Sequence, residues 1–209
     1  MLEENSGFKP RPRIQTLSDL IFGLALSIGA LTLIGQQPTN FQSVVASLLF
    51  YSFSFLVLVS VWRSYSTILS VLPVETGVLV NLNILLLFTV SIEPYLFNQL
   101  FAINGDYWNN VSVLYAVDLA VMFLILAFFS HSLGKEERNL GPKKYLKQFR
   151  FDRNYDLLTA FIFIVSILPV FEVTVFQIAG HSIPLRVVLW IGALIFGFTR
   201  RIVYQLQKR

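Results

Sequence analysis

Cysteine is absent from the 209 residues, so no disulfide framework and no thiolate-held metal is available. Charge is scarce. Asp, Glu, Lys and Arg make up 13% of the chain, about half the share usual in soluble domains. The sequence contains no HExxH, no GxSxG, no phosphate-cradling P-loop and no paired histidines, which removes the motifs that would nominate a membrane enzyme. No enzyme, no cofactor and no resident metal is expected. A secretory leader is not indicated either. The first residues, MLEENSGFKPRPR, form a polar tail with acids leading, without a basic start, short apolar core or small-residue cleavage site.

What fills the chain is apolar. Hydrophobic residues reach 55% and the mean hydropathy is +0.66, which places the chain in the membrane class. A bilayer core of about 30 Å takes roughly 20 apolar helical residues. Six segments approach that length: Leu17–Ile34, Phe41–Trp62, Gly77–Phe97, Val111–Leu133, Leu157–Val175 and Ile183–Phe198. Gly, Pro and Asn punctuate the breaks between them. The runs lack the strict alternation of barrel strands, so the expected fold is an all-α integral membrane protein of six transmembrane helices. A single six-helix transmembrane domain over 17–203 is expected, between a polar tail (1–16) and a short basic tail (204–209).

Basic residues orient the spans. Lys9, Arg11 and Arg13 precede the first span and Arg63 follows the second. Lys135, Arg138, Lys143, Lys144, Lys147, Arg150 and Arg153 crowd the fourth connection, and Arg200, Arg201, Lys208 and Arg209 close the chain. In a six-span chain all of these lie on one side. The other connections hold one basic residue, Arg186, alongside Glu93, Asp106 and Glu172. Both termini are therefore expected in the cytoplasm. The same dispersal argues against nucleic acid, which needs a basic surface on a folded domain. Membrane headgroups suffice as partners, and KKYLKQFRF is expected to form a short interfacial helix.

Within the first span, Leu24, Ile28 and Leu31 fall at i, i+4 and i+7, and Gly23, Ser27 and Ala30 make a neighbouring stripe of small residues. Periodicity alone reads both as packing surfaces. Arg13, Ser18 and Asp19 stand at the mouth of this span. Two readings stay open for them: a plain N-terminal cap, where unsatisfied amides favour oxygen acceptors, or a polar network that bundles several helices.

Arg13, three residues, then Leu17-Ser18-Asp19 resembles the Arg, three residues, Phe-Ser-Asp signature of the transmembrane protein 175 family of potassium channels. Glu75, Asn83, Val90, Ser91 and Pro94 also stand at places similar to that family's third helix. The resemblance implies a prokaryotic single-repeat channel assembling as a homotetramer, with the first helix of each subunit lining a central pore. Carried onto this chain, Leu24, Ile28 and Leu31 become apolar constriction rings and Ser27 a pore-lining hydroxyl. Arg13, Ser18 and Asp19 tie the helix to its neighbours. Such rings shut by dewetting, and K⁺, the implied permeant ion, sheds water more readily than Na⁺, so modest selectivity is expected. Two departures stand out. Leu17 replaces the signature phenylalanine, and Trp62 is followed after two residues by Tyr65 rather than histidine, which leaves Arg63 or Tyr65 as the substitute.

Other polar residues receive bland expectations. Asp118, inside the fourth span, is read as structural, although intramembrane acids are functional candidates by default. Asn81 and Asn83 suit interhelical hydrogen bonding. Trp62, Trp108 and Trp190 suit interfacial or lipid-facing packing, and His131 and His181 lie near opposite faces and cannot share a metal. The alternative function is a proton-coupled secondary transporter using Asp118 and Asp19, although no convincing internal repeat supports it.

Overall fold

The computed structural model describes residues 13–35, 40–70, 77–102, 106–136, 143–178 and 181–206. Six helices account for most of them: α1 (Arg13–Gly35), α2 (Phe41–Leu69), α3 (Gly77–Ala102), α4 (Asp106–Glu136), α5 (Lys143–Val165) and α6 (Leu185–Leu206). Four helices are long and apolar enough to cross a membrane, within Ile14–Leu33, Phe41–Leu69, Gly77–Leu100 and Tyr107–Leu133.

Local chemistry sets the elements. Asn40 caps α2 by accepting from the Ser43 amide at 2.8 Å, while Ser43 Oγ accepts from the Asn40 amide at 3.2 Å, a reciprocal capping box. Pro94 sits inside α3. A helix interior normally rejects proline, but membrane helices tolerate it where neighbours re-satisfy the freed backbone. At Gly29 of α1 an added Cβ would lie 3.5 Å from the Tyr51 ring and 4.0 Å from Pro94, ordinary packing contact, so α1 lies against α2 and α3 here.

α4 is the centre of the bundle. Tyr115, Leu119, Met122, Leu126 and Phe129 are fully buried, and α3 and α5 pack on either side. α1 is peripheral. It meets α2 and α3 through Ser18, Phe22, Ala25 and Gly29, spaced four, three and four residues apart, one helical face.

The C-terminal third departs from expectation. KKYLKQFRF is not a separate interfacial helix. It forms the first turns of α5, which runs unbroken from Lys143 to Val165. The fifth span, expected to continue to Val175, stops being helical at Val165. A 3-10 turn follows over Pro169–Glu172, because proline fixes its own φ and supplies no amide. Strands β1 (Thr174–Ile178) and β2 (His181–Pro184) then pair antiparallel, with Ile178 opposite His181. A register shift falls between Thr174 and Phe176, and the Leu185 amide donates to the Val173 carbonyl at 2.9 Å. The fold is therefore helical with one small hairpin rather than wholly α. Ile183, expected to open the sixth span, belongs to β2. The apolar part of α6, Leu185–Thr199, is about 22 Å long and is short for a bilayer core of about 30 Å.

Candidate functional site

α1 begins at Arg13. Ser18 and Asp19 thus lie beyond the first turn, where orphan amides would call for a cap. Both reach α2 instead. Ser18 is completely buried, and its Oγ lies 2.8 Å from the Ile14 carbonyl and 2.5 Å from the Tyr65 hydroxyl. Tyr65 in turn donates to Asn83 Oδ1 of α3. Ser18 and Tyr65 are thus in mutual hydroxyl contact while each also donates to a further carbonyl oxygen, that of Ile14 and that of Asn83. Beside them, Trp62 Nε1 donates to Asp19 Oδ1 at 3.0 Å. One end of α1 is thus tied to α2 and, through Tyr65, to α3. Tyr65, not the exposed Arg63, occupies the place where the resemblance expected histidine. Of Arg13 the structure describes the backbone only, and Glu75 lies outside the described residues. Asn83 is buried and bonded, whereas Asn81 is exposed.

The other face of α1 is bare within the subunit. Leu24, Ile28 and Leu31 are 53%, 47% and 60% exposed, and Ser27 and Gly23 share that exposure. Ser27 Oγ donates back to the Gly23 carbonyl at 2.8 Å, which keeps its hydroxyl against the helix. Nothing lies within 4 Å of a side chain placed at Gly23. An open apolar groove runs between Leu24 and Ile28 of α1 and Ile84 and Phe88 of α3.

Two further polar clusters escaped the sequence. Glu93, counted with the connections although it falls inside the expected Gly77–Phe97 span, lies inside α3 and is 0% exposed. Its carboxylate accepts from Ser54 Oγ at 2.9 and 3.0 Å and from the Tyr115 hydroxyl at 2.9 Å, joining α2, α3 and α4. Its position next to Pro94, inside an otherwise apolar run, was the available signal. Asp118 is nearby in α4, also buried, and neither of its oxygens has a hydrogen-bond partner among the described residues. The second cluster centres on Arg186, whose guanidinium is fully buried. It donates to Asn109 Oδ1 at 2.7 Å, to Ser112 Oγ, and to Glu172 Oε1 at 3.2 Å. Asn109 also donates to Glu172 at 2.8 Å, and the Trp108 ring lies 6.0 Å away. Arg186, the isolated basic residue among its group of connections, therefore clasps α4, the 3-10 turn and α6 together. Trp190 is not lipid-facing. It is 1% exposed and donates to Ser166 Oγ at 2.8 Å.

The polar ties near the start of α1 fall within one stretch that matches a known family. Residues 13–94 match the TMEM175 family model. Its description is endosomal/lysosomal potassium channel TMEM175. The match takes in α1, α2 and most of α3, including Ser18, Asp19, Trp62, Tyr65 and Asn83, and it bears out the resemblance carried by Arg13, Ser18 and Asp19. The whole fold is similar to a crystal structure described as a lysosomal potassium-selective channel TMEM175 homolog from Chamaesiphon minutus. That likeness covers 90% of this chain and 96% of the other at 18% identity, with a TM-score of 0.61. Among curated proteins nothing matches. The TMEM175 match, the shared fold and the four apolar helices make this an integral membrane protein.

Proposed function

We propose that the chain is one subunit of a homotetrameric, potassium-permeable cation channel of a prokaryotic cell membrane. The uncovered face of α1 lines a central pore. Leu24, Ile28 and Leu31 form successive apolar constrictions and Ser27 supplies a hydroxyl between the first two. Ser18 and Asp19, with Arg13 beside them, hold the helix at the pore mouth. The protein works without a cofactor and catalyses no reaction. Both termini face the cytoplasm, and α5 and α6 with the hairpin complete the fifth and sixth crossings of the 17–203 domain.

One observation carries this reading. α1 is fixed to α2 and α3 by buried hydroxyl and amide contacts on one side, while Leu24, Ile28 and Leu31 on its other side stay 47–60% exposed within the chain. A helix held firmly on one side, with a half-exposed apolar stripe on the other, suits a surface completed by other copies. A ring of Leu24 side chains cannot replace the water around a cation, so a narrow ring is dewetted and closed. Widening it restores conduction, and the ion with the weaker hydration, K⁺, passes more easily than Na⁺.

The matched family and the solved relative are both described as potassium channels, which agrees with this choice over a carrier. Coupled transport through Asp118 and Asp19 is disfavoured, because in the proposed topology the two lie toward opposite membrane faces and Asp118 is sealed inside α4's packing. The test is flux from liposomes containing the purified protein. Wild type should pass K⁺ faster than Na⁺, and Leu24→Ser should raise the leak of both. Flux that saturates, follows a proton gradient and ignores Leu24 would reject the channel.

A further inference from the structure

The residues that anchor α1 also fix where its other side chains point. Ser18, Phe22, Ala25 and Gly29 meet α2 and α3. Successive residues turn by about 100°, so a residue two places from an anchor lies about 160° around the helix from it, close to the opposite side. Leu20 stands two places from both Ser18 and Phe22, and Ser27 two places from both Ala25 and Gly29. Leu24 is two places from Phe22, and Leu31 two from Gly29. The line opposite the anchors is therefore Leu20, Leu24, Ser27 and Leu31, at spacings of four, three and four residues, one seam along a helix. Ile28 lies beside it, on the flank that borders the groove with α3. Leu20 is the member of this seam that the family resemblance does not place in the pore. It is 60% exposed, barer than Leu24 at 53%. Its direction is set at its own level. Ser18 Oγ meets the Tyr65 hydroxyl at 2.5 Å, and Trp62 Nε1 donates to Asp19 Oδ1 at 3.0 Å, so α1 cannot roll here without breaking both.

We propose that Leu20 forms a further constriction of the pore, an apolar ring at its cytoplasmic end, one turn before the Leu24 ring. This role rests on α1 lining the pore with its start at the cytoplasmic face. Rings four residues apart are separated by roughly 6 Å along the helix, so a cation leaving one ring meets the next before the pore can rehydrate it. Leu20 and Leu24 then act as one continuous dry segment, and such a segment is shut by dewetting. Ser27, next along the seam, brings the first hydroxyl. The dry segment therefore lies at the cytoplasmic end, directly beside the ties that hold α1 to Tyr65 and Trp62. Removing Leu24 alone shortens this segment without abolishing it, because Leu20 still closes its near end.

The test uses the full chain in liposomes. Leu20→Ser should raise K⁺ flux severalfold, and Leu20→Ser/Leu24→Ser should raise it more than either single change. Leu20→Ile, which keeps an apolar ring, should leave flux at the wild-type level. Because Leu20 is largely exposed within the subunit, thermal unfolding in detergent should match wild type for Leu20→Ser, which separates an effect on the pore from a folding defect. Leu20→Cys adds a readout that a packing role would not move. A positively charged, water-soluble thiol reagent should lower its K⁺ flux and a negatively charged one should raise it, because a charge fixed at the ring repels or attracts the permeating cation. Leu24→Cys and Leu24→Ser are the controls. If they respond while Leu20→Cys and Leu20→Ser leave flux unchanged, α1 lines a pore in which Leu20 takes no part, and this inference is overturned while the channel stands. If neither position responds, α1 does not line a pore, and the Leu20 ring falls with it.

Discussion

In α1 to α4 the helices are long, apolar and joined by side chains that are mostly neutral: Ser18 with Tyr65, Tyr65 with Asn83, Ser54 and Tyr115 on Glu93. From α5 onward the apolar helix is short and interrupted, and an ion pair, a hairpin and paired aromatics take over: Arg186 with Glu172, Trp190 with Ser166, Tyr155 with the Ala193 carbonyl. The difference follows from length. A helix that spans the hydrocarbon satisfies its own backbone and needs only a few bonds to set its neighbours. A segment that breaks at Val165 must satisfy its backbone differently, and it does so in turn bonds from the Ser166, Ile167, Leu168 and Phe171 amides and then in the hairpin ladder. The TMEM175 match stops at residue 94, inside the first region, while the similar solved fold extends through both.

The contrast predicts where substitutions hurt. Arg186→Met should be the most damaging, because it strands Glu172, Asn109 and Ser112. Loss of one partner of a buried pair costs about 3 kcal/mol, at the low end here because Glu172 is partly open to water. Thermal unfolding in detergent should show it, with the amides where α4 meets α6 the first to gain speed in hydrogen exchange. Next comes Gly197→Ala, whose methyl would collide with the buried Tyr155 hydroxyl and ring. Overpacking of this kind costs roughly 1–3 kcal/mol. Its counterpart in the first region, Gly23→Ala, meets nothing within 4 Å, so it should leave the subunit's own stability unchanged. If Gly23→Ala weakens only the assembled oligomer, the loss reports a neighbour from outside the subunit.

Tyr65→Phe should cost about 1 kcal/mol, since it removes the hydroxyl shared by Ser18 and Asn83 and interhelical bonds in membranes are individually modest. Asp118→Asn should cost least. Its oxygens hold no hydrogen bond among the described residues, so thermal stability should stay close to wild type. A large loss would mean that Asp118 has a role the packing of the bundle does not reveal.

The positions of the first four helices were readable from hydropathy, and their extra turns were not. Phe41–Trp62 proved to be the core of a helix reaching Leu69, and Gly77–Phe97 of one reaching Ala102, because polar end turns stay helical while leaving the apolar window. The break in the fifth segment was hidden for a different reason. FIFIVSILPVFEVTVFQI is mostly apolar, and apolar runs do not distinguish helix from strand. Pro169 and the β-branched residues after it were the signals to weigh. In the candidate site, Ser18 and Asp19 were visible as polar residues at the head of a span, but their partners Tyr65 and Trp62 required the crossing of α1 over α2. Glu93 was counted with the connections although it falls inside the expected Gly77–Phe97 span, and its hydrogen-bond partners Ser54 and Tyr115 lie on other helices, out of reach of the pattern. Trp190 was misread because its amphipathic ring suits an interface as readily as a polar partner inside the bundle.

The proposed channel stands or falls on the face of α1, and the absence of cysteine allows that face to be probed cleanly. Leu24→Cys and Ile28→Cys channels in liposomes should be modified by a charged, water-soluble thiol reagent, and modification should block K⁺ flux. If those cysteines react only with a membrane-dissolved reagent and flux continues unchanged, α1 faces lipid and the proposed pore does not exist.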